Sequence, residues 1–206
     1  MDMTKKATNI FPVFDQILQK KDKEKLLNQN AKVIWMTGLS GSGKTTIAKG
    51  VERHLHSHGI INQLLDGDNI RVGISNNLSF TKEDRVENIR RISEVSKLFI
   101  NCGIVTLNCF VSPTISIRKK ARNIIGSNDF IEIYINASIE TCENRDTKGL
   151  YQKARKGEIS NLSGINAPFE PPKNPDLEIN TSRLSIDESI EKVINYIMPI
   201  IKKNKK

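Results

Sequence analysis

Val33-Ile34-Trp35-Met36-Thr37-Gly38-Leu39-Ser40-Gly41-Ser42-Gly43-Lys44-Thr45-Thr46 is the stretch on which the fold turns. Val33 to Met36 is apolar without a break, the pattern of a parallel strand buried on both faces. Gly38 to Thr45 satisfies G-x-x-x-x-G-K-[ST] in full. Ile47, Ala48, Val51 and Leu55 then recur at helical spacing. Strand, glycine loop and amphipathic helix in that order separate a phosphate-binding loop from a chance match in a glycine-rich turn. The glycines let the backbone fold tightly enough to aim N–H groups at phosphate oxygens. Lys44 is expected to reach the β- and γ-phosphates, and the Thr45 hydroxyl to coordinate Mg²⁺. The positive end of the helix faces the same anion. The expected ATP-binding set is therefore Gly38, Leu39, Ser40, Gly41, Ser42, Gly43, Lys44, Thr45 and Thr46.

Outward from this loop the chain alternates strand and helix. Gly59 stops the first helix. Leu64-Leu65 ends a second strand at Asp66, and a long polar loop leads to Thr81. Thr81 caps a helix to about Asn101, with Val86, Ile89, Ile92, Val95, Leu98 and Phe99 as its apolar side. Ile104 to Phe110 reads as a third strand, Pro113 as the opening of another helix, and Phe130 to Ile135 as a fourth strand. Ser138 to about Arg145 is a short helix, followed by a basic, glycine-punctuated segment to Gly164. Ala167 to Pro175 carries four prolines and is loop. Leu177 to Ile179 is a last strand, and Ser185 with Glu188 forms a capping box for a final helix to about Ile200. The expected fold is α/β: a P-loop NTPase-type three-layer domain with a mostly parallel sheet covered on both faces. It spans residues 31–201, with an N-terminal extension over 1–30, a lid over about 145–164 and a basic tail over 202–206.

Composition narrows the function classes. The 206 residues are 37% hydrophobic and 27% charged, ordinary values for a globular domain. No apolar run approaches the roughly 20 residues that span a bilayer. The first 21 residues lack the pattern of a signal or transit peptide, so the expected setting is cytoplasmic. Cys102, Cys109 and Cys142 are scattered without zinc spacing or a disulfide framework. The formal charge of +9 lies largely in the tails. With one Trp and three Tyr, stacking platforms for a nucleic acid strand are scarce, and no nucleic-acid or membrane partner is expected. His54 and His58 share a helix face but lack a third metal ligand of fitting spacing.

Leu65-Asp66-Gly67-Asp68-Asn69-Ile70-Arg71 places two acids at the C-terminal end of a strand, the edge where open parallel sheets bind ligands. One acid could help hold Mg²⁺ through water while the other takes a proton from an attacking hydroxyl. A polar turn after a strand is the plainer reading. No Asn-Lys-x-Asp stretch is present to read guanine, so a GTPase is disfavoured.

From here the residues resemble one family, the adenylylsulfate (APS) kinases. The resemblance runs from about Val33 to Thr181. After the phosphate loop come Leu-Asp-Gly-Asp-Asn-Ile-Arg at 65–71, Asp-Arg-Val-Glu-Asn-Ile-Arg-Arg at 84–91, and Val-Ser-Pro at 111–113. Arg-Asp-Thr-Lys-Gly-Leu-Tyr at 145–151 and Lys-Ala-Arg-Lys-Gly-Glu-Ile at 153–159 complete the set. The resemblance implies transfer of the γ-phosphoryl of MgATP to the 3′-hydroxyl of adenosine 5′-phosphosulfate, in a homodimeric enzyme. Another small-molecule P-loop kinase, for a nucleoside or sugar, is the runner-up, and a nucleotide-binding module without kinase activity is third.

The resemblance also implies roles. Lys44, Asp66, Asp68 and Ser112 form the catalytic set, with Thr45 and Asp66 as metal candidates. Asp68 is the candidate to accept the 3′-hydroxyl proton and Asp66 the one nearer the metal, an assignment between the two acids that the sequence leaves open to reversal. Asp68, Asn69, Arg71, Phe80, Arg85, Asn88, Val111 and Ser112 face the acceptor, joined by Lys148, Gly149, Leu150 and Leu162. Guanidinium forks suit sulfate and phosphate oxygens, and Phe80 stacks on the acceptor's adenine. Arg145 reaches ATP, and Arg145, Lys148, Lys153 and Arg155 fold as a lid over both nucleotides. One departure stands out. The family places an aromatic where this chain has Leu162, which loses a stacking contribution of about 1 kcal/mol; Phe169 is the expected substitute.

Overall fold

The structure is a computed structural model and describes residues 9–203; residues 1–8 of the expected extension and 204–206 of the basic tail lie outside the described residues. Five strands form one parallel sheet: β1 Val33–Thr37, β2 Asn62–Asp66, β3 Val105–Cys109, β4 Phe130–Asn136 and β5 Leu177–Asn180, in spatial order β2-β3-β1-β4-β5. β1 lies in the middle because its two faces are both apolar, and all five of its residues are buried. Its neighbours are β3 on one side and β4 on the other. The chain thus reverses its direction of winding at β1, and ligands bind outside the carboxyl ends of strands at such a point.

Among the described residues eight α-helices surround the sheet: α1 Lys20–Leu27, α2 Lys44–Ser57, α3 Gly67–Val72, α4 Lys82–Asn101, α5 Ile115–Ile125, α6 Ile139–Arg145, α7 Leu150–Arg155 and α8 Ile186–Ile201. Beneath α2 and α8 the core is aliphatic, built on Ile34, Met36, Leu107, Ile133 and Ile179 with Val51, Val193 and Ile197. Gly50 permits this close crossing, since a Cβ there would stand 2.2 Å from Ile190 Cδ1. On the other face, Trp35 lies between Phe110 and Phe130, with ring centroids 5.6 and 5.5 Å away. Each large apolar side chain so buried contributes about 1.5–3 kcal/mol.

The caps are where the pattern places them. Thr81 accepts from Asp84 N, and Ser185 and Glu188 close a reciprocal capping box. Three expectations are corrected. The polar loop after Asp66 begins instead with α3, because the Asp66 side chain caps it. Pro113 precedes its helix by two residues, and Thr114 is the cap of α5. Leu98 is 67% exposed rather than part of the apolar side of α4. The basic segment after Arg145 contains α7. The end of the N-terminal extension is bound into the domain: the buried Glu24 carboxylate accepts from Ala31 N at 2.7 Å, and the Gln29 amide donates to Ile61 O and Gly103 O at 2.8 Å each.

Candidate active site

The loop from Gly38 to Thr45 wraps the C-terminal end of β1. A Cβ on Gly38 would stand 2.3 Å from the Ile135 carbonyl oxygen, so no other residue fits. Gly43 is left-handed, at φ 102°, and turns the chain into α2. The Lys44 ammonium is buried and donates to Gly38 O and Leu39 O at 3.0 and 2.8 Å. Burial pushes it down to about 8. A polyanion brought to the loop shifts it back upward, because an opposite charge favours the protonated amine.

Thr45 ties the loop to the acids. Its hydroxyl donates to Asp66 Oδ2 at 2.7 Å, and Asp66 Oδ1 accepts from Asp68 N at 3.0 Å. Asp66 is buried, while the Asp68 side chain is 68% exposed and pairs with Lys148. The two carboxylates therefore stand in different settings. A threonine hydroxyl beside a buried carboxylate is a hard-oxygen donor pair of the kind Mg²⁺ takes, so the residues fit that ion.

Beyond Asp68, α3 and α4 bring the acceptor candidates together. Arg71 Nη1 donates to Leu78 O and Ser79 O at 3.2 and 2.9 Å, which fixes the guanidinium 4.2 Å from the Phe80 ring centroid. Arg85 lies 5.5 Å from the same ring, donates through Nε to Phe80 O, and reaches Asn161 O with Nη2. Phe80 is 56% exposed, so it is not a core phenylalanine. Asn88, one turn after Arg85, is buried, and its Oδ1 has no partner among the described residues. Two guanidinium groups, an exposed aromatic face and an unpaired buried amide oxygen make a surface suited to an anion attached to a planar base.

Val111 and Ser112 close the wall at the end of β3. Ser112 is buried, and its hydroxyl is engaged by Trp35 and Thr37. Together these groups line one cavity of about 980 Å³, with the phosphate loop at one part of its wall and Arg71, Phe80 and Arg85 at another. Asn69, Lys148, Leu150 and Leu162 also line it, as do Ser40, Gly41, Gly43, Thr45, Thr46 and Arg145. Gly38, Leu39, Ser42 and Gly149 do not. Gly38 and Ser42 shape the loop from behind, Leu39 packs with Cys142 and Tyr151, and Gly149 is the left-handed turn that starts α7.

A model of the adenylylsulphate kinase family matches residues 30–180. The chain belongs to the adenylylsulphate kinase family. An adenylyl-sulfate kinase of Bacteroides thetaiotaomicron is 55% identical over 195 residues, covering 95% of this chain and 97% of its own. One from Clostridium acetobutylicum is 46% identical over 194 residues, covering 94% and 96%. Among solved structures, the Mycobacterium tuberculosis APS kinase in complex with AMPPNP and APS is 44% identical with a TM-score of 0.79, over 82% of this chain and 98% of its own.

In this kinase one expectation about the lid and one about the acceptor wall fail. Lys153 and Arg155 do not line the cavity; Arg155 is held on the outside by Glu143, at 2.8 Å. Phe169 does not replace the missing aromatic wall. It stacks on Tyr134, with centroids 6.2 Å apart, beside a separate hollow of about 640 Å³ behind the loop. Leu162 itself stays on the cavity wall, backed by the Leu39–Cys142–Tyr151 cluster.

Two residues of the site escaped the sequence reading. The Thr181 hydroxyl donates to Ser42 O at 2.8 Å, and its own carbonyl accepts from Arg145 Nη2 at 2.6 Å. The Tyr151 hydroxyl donates to Ser40 O at 2.8 Å. Both brace the phosphate loop from distant parts of the chain. The only signal for Tyr151 was its place in Lys-Gly-Leu-Tyr, and Thr181 carried none.

Proposed function

We propose that this enzyme transfers the γ-phosphoryl group of ATP to the ribose 3′-hydroxyl of adenosine 5′-phosphosulfate, releasing ADP and 3′-phosphoadenosine 5′-phosphosulfate. The observation that carries the reading is the shared cavity: a phosphate loop and an Arg71–Phe80–Arg85–Asn88 surface meet there around Asp68. In the transfer, the bond from the γ-phosphorus to the β,γ-bridging oxygen breaks and a bond to the 3′-oxygen forms. The 3′-hydroxyl proton passes to the Asp68 carboxylate. Lys44 and the loop amides hold the donor, and Arg145 lies at its far side. Arg71 and Arg85 take the sulfate and phosphate of the acceptor, Phe80 its adenine, and Asn88 and Lys148 its remaining polar edge. The Val111–Ser112 backbone, Asn69, Leu150 and Leu162 complete that pocket.

Thr45 and Asp66 would hold Mg²⁺, which supplies charge neutralisation at the β- and γ-oxygens when bound. The free thiols of Cys102, Cys109 and Cys142 support a reducing, cytoplasmic setting. The exposed apolar side chains of Ile10, Phe11, Phe14 and Leu18 support self-association as a homodimer. Among the described residues no helix is long and apolar enough to cross a membrane.

Release of ADP, coupled to an optical readout, tests the acceptor. Adenosine 5′-phosphosulfate should turn over well above AMP, adenosine and simple sugars. No turnover with it, or equal turnover with a sugar, would sink this reading.

A further inference from the structure

The turn after β3 is gripped from two sides by buried groups that do not line the cavity. Ser112 has φ 37°, a left-handed conformation that a serine keeps only where its surroundings over-determine it. Trp35 Nε1 donates to Ser112 Oγ at 3.1 Å, Ser112 Oγ donates to Thr37 Oγ1 at 3.0 Å, and Thr37 Oγ1 donates to Val111 O at 2.7 Å. Phe110 O, at 3.3 Å, is a second and longer acceptor for the Ser112 hydroxyl, and the path of shorter bonds runs from the indole to the Val111 carbonyl. From the other side the buried Arg118 donates through Nη1 to Ser112 O at 2.9 Å and through Nη2 to Glu170 O at 2.8 Å. Its Nε pairs with Glu132 at 2.8 Å. Val111, Ser112 and Pro113 line the cavity; Trp35, Thr37 and Arg118 do not.

We infer that Trp35, Thr37 and Arg118 are positioning residues for the acceptor, acting through the Val111–Pro113 turn. The inference rests on the acceptor pocket proposed above. Because the Ser112 hydroxyl is spent inward, the turn offers a ligand chiefly its backbone. A backbone wall stands only where the groups behind it hold it, and a small misplacement of a bound reactant lowers rate steeply. Strand β1 thus serves both substrates: its end forms the phosphate loop, and its side chains Trp35 and Thr37 fix the opposite wall.

Thr37→Val removes the middle hydroxyl at nearly constant volume, and Thr37→Ser restores it. Losing one such bond should raise KM for adenosine 5′-phosphosulfate about fivefold or more, with KM for ATP changed less than about twofold. Thr37→Ser should behave as the wild type. Calorimetry gives acceptor affinity in the Thr37 variants without turnover, and that affinity should fall by the same factor. An unchanged acceptor KM, or equal rises in both KM values with a lowered Tm, would overturn the inference. Trp35→Phe and Arg118→Lys, scored by the same split in KM, keep it falsifiable if Thr37→Val does not fold. A wild type that neither binds nor turns over this acceptor would instead bring down the proposed function.

Discussion

The Thr45 hydroxyl donates to Asp66 Oδ2 at 2.7 Å, and this bond sets Asp66 apart from Asp68 two residues later. Asp66 caps α3 and is tied to the phosphate loop, whereas Asp68 projects into the cavity toward Lys148. Asp68→Asn is expected to lower kcat by about 100- to 10,000-fold, the usual range for losing a general base, while ATP affinity holds. Asp66→Asn should raise the Mg²⁺ concentration needed for half-maximal rate. Turnover kinetics across a Mg²⁺ series separate the two; swapped outcomes would reverse the assignment.

Phe80 lies under Arg71 with its ring half-exposed, so truncating it removes little core. Phe80→Ala should weaken acceptor binding by about 1 kcal/mol, near fivefold, through lost stacking. Calorimetry with acceptor and with ATP analogue should show the loss for the acceptor alone.

Leu162 lines the cavity where the family places an aromatic, and Phe169 is turned to Tyr134 instead. Leu162→Phe should tighten the acceptor about threefold, by adding a second stacking face. A KM for the acceptor that stays or rises would show that the aliphatic wall is already complementary.

Lys44 carries the pH dependence. Burial holds it at about 8, against 10.5 in the unfolded chain. Below about 8 both states carry the proton and Lys44 contributes no slope. Between about 8 and 10.5 the unfolded chain binds more protons, so the stability of the ligand-free protein should rise with pH through this group. Nucleotide phosphates favour the charged amine, so binding of an ATP analogue at about pH 8.5 should take up protons. Calorimetry in buffers of different ionisation enthalpy measures that uptake, and Lys44→Met should abolish it.

At Gly38 the neighbour is rigid backbone, with the Ile135 carbonyl oxygen 2.3 Å from any added Cβ. Gly38→Ala must displace β4 backbone rather than a mobile side chain. It should lower Tm markedly and abolish binding of an ATP analogue, whereas Gly59→Ala, with open space around the added carbon, should cost only the left-handed strain of its turn.

Much of this was legible along the chain because it depends on near neighbours. The unbroken apolar run of Val33–Met36 means a strand buried on both faces wherever it occurs, and G-x-x-x-x-G-K-T after it means a phosphate loop. Thr81 with Asp84 and Ser185 with Glu188 are caps made within one turn. The short helix α3 was missed for a related reason: its cap is Asp66, a residue that pattern alone assigns to the strand or to chemistry.

By itself the sequence determined the α/β class, the donor loop, the family and the residue types that would meet a sulfated nucleotide, all of which follow from local pattern and motif order. Only the tertiary structure decided which of those residues share a wall. It separated Asp66 from Asp68, turned Arg155 outward to Glu143 and Phe169 to Tyr134, and brought Thr181 and Tyr151 to the loop. Each of these contacts joins residues 12 or more positions apart, on different segments of the chain. Such pairings are set by sheet order and burial, which no window of neighbouring residues encodes.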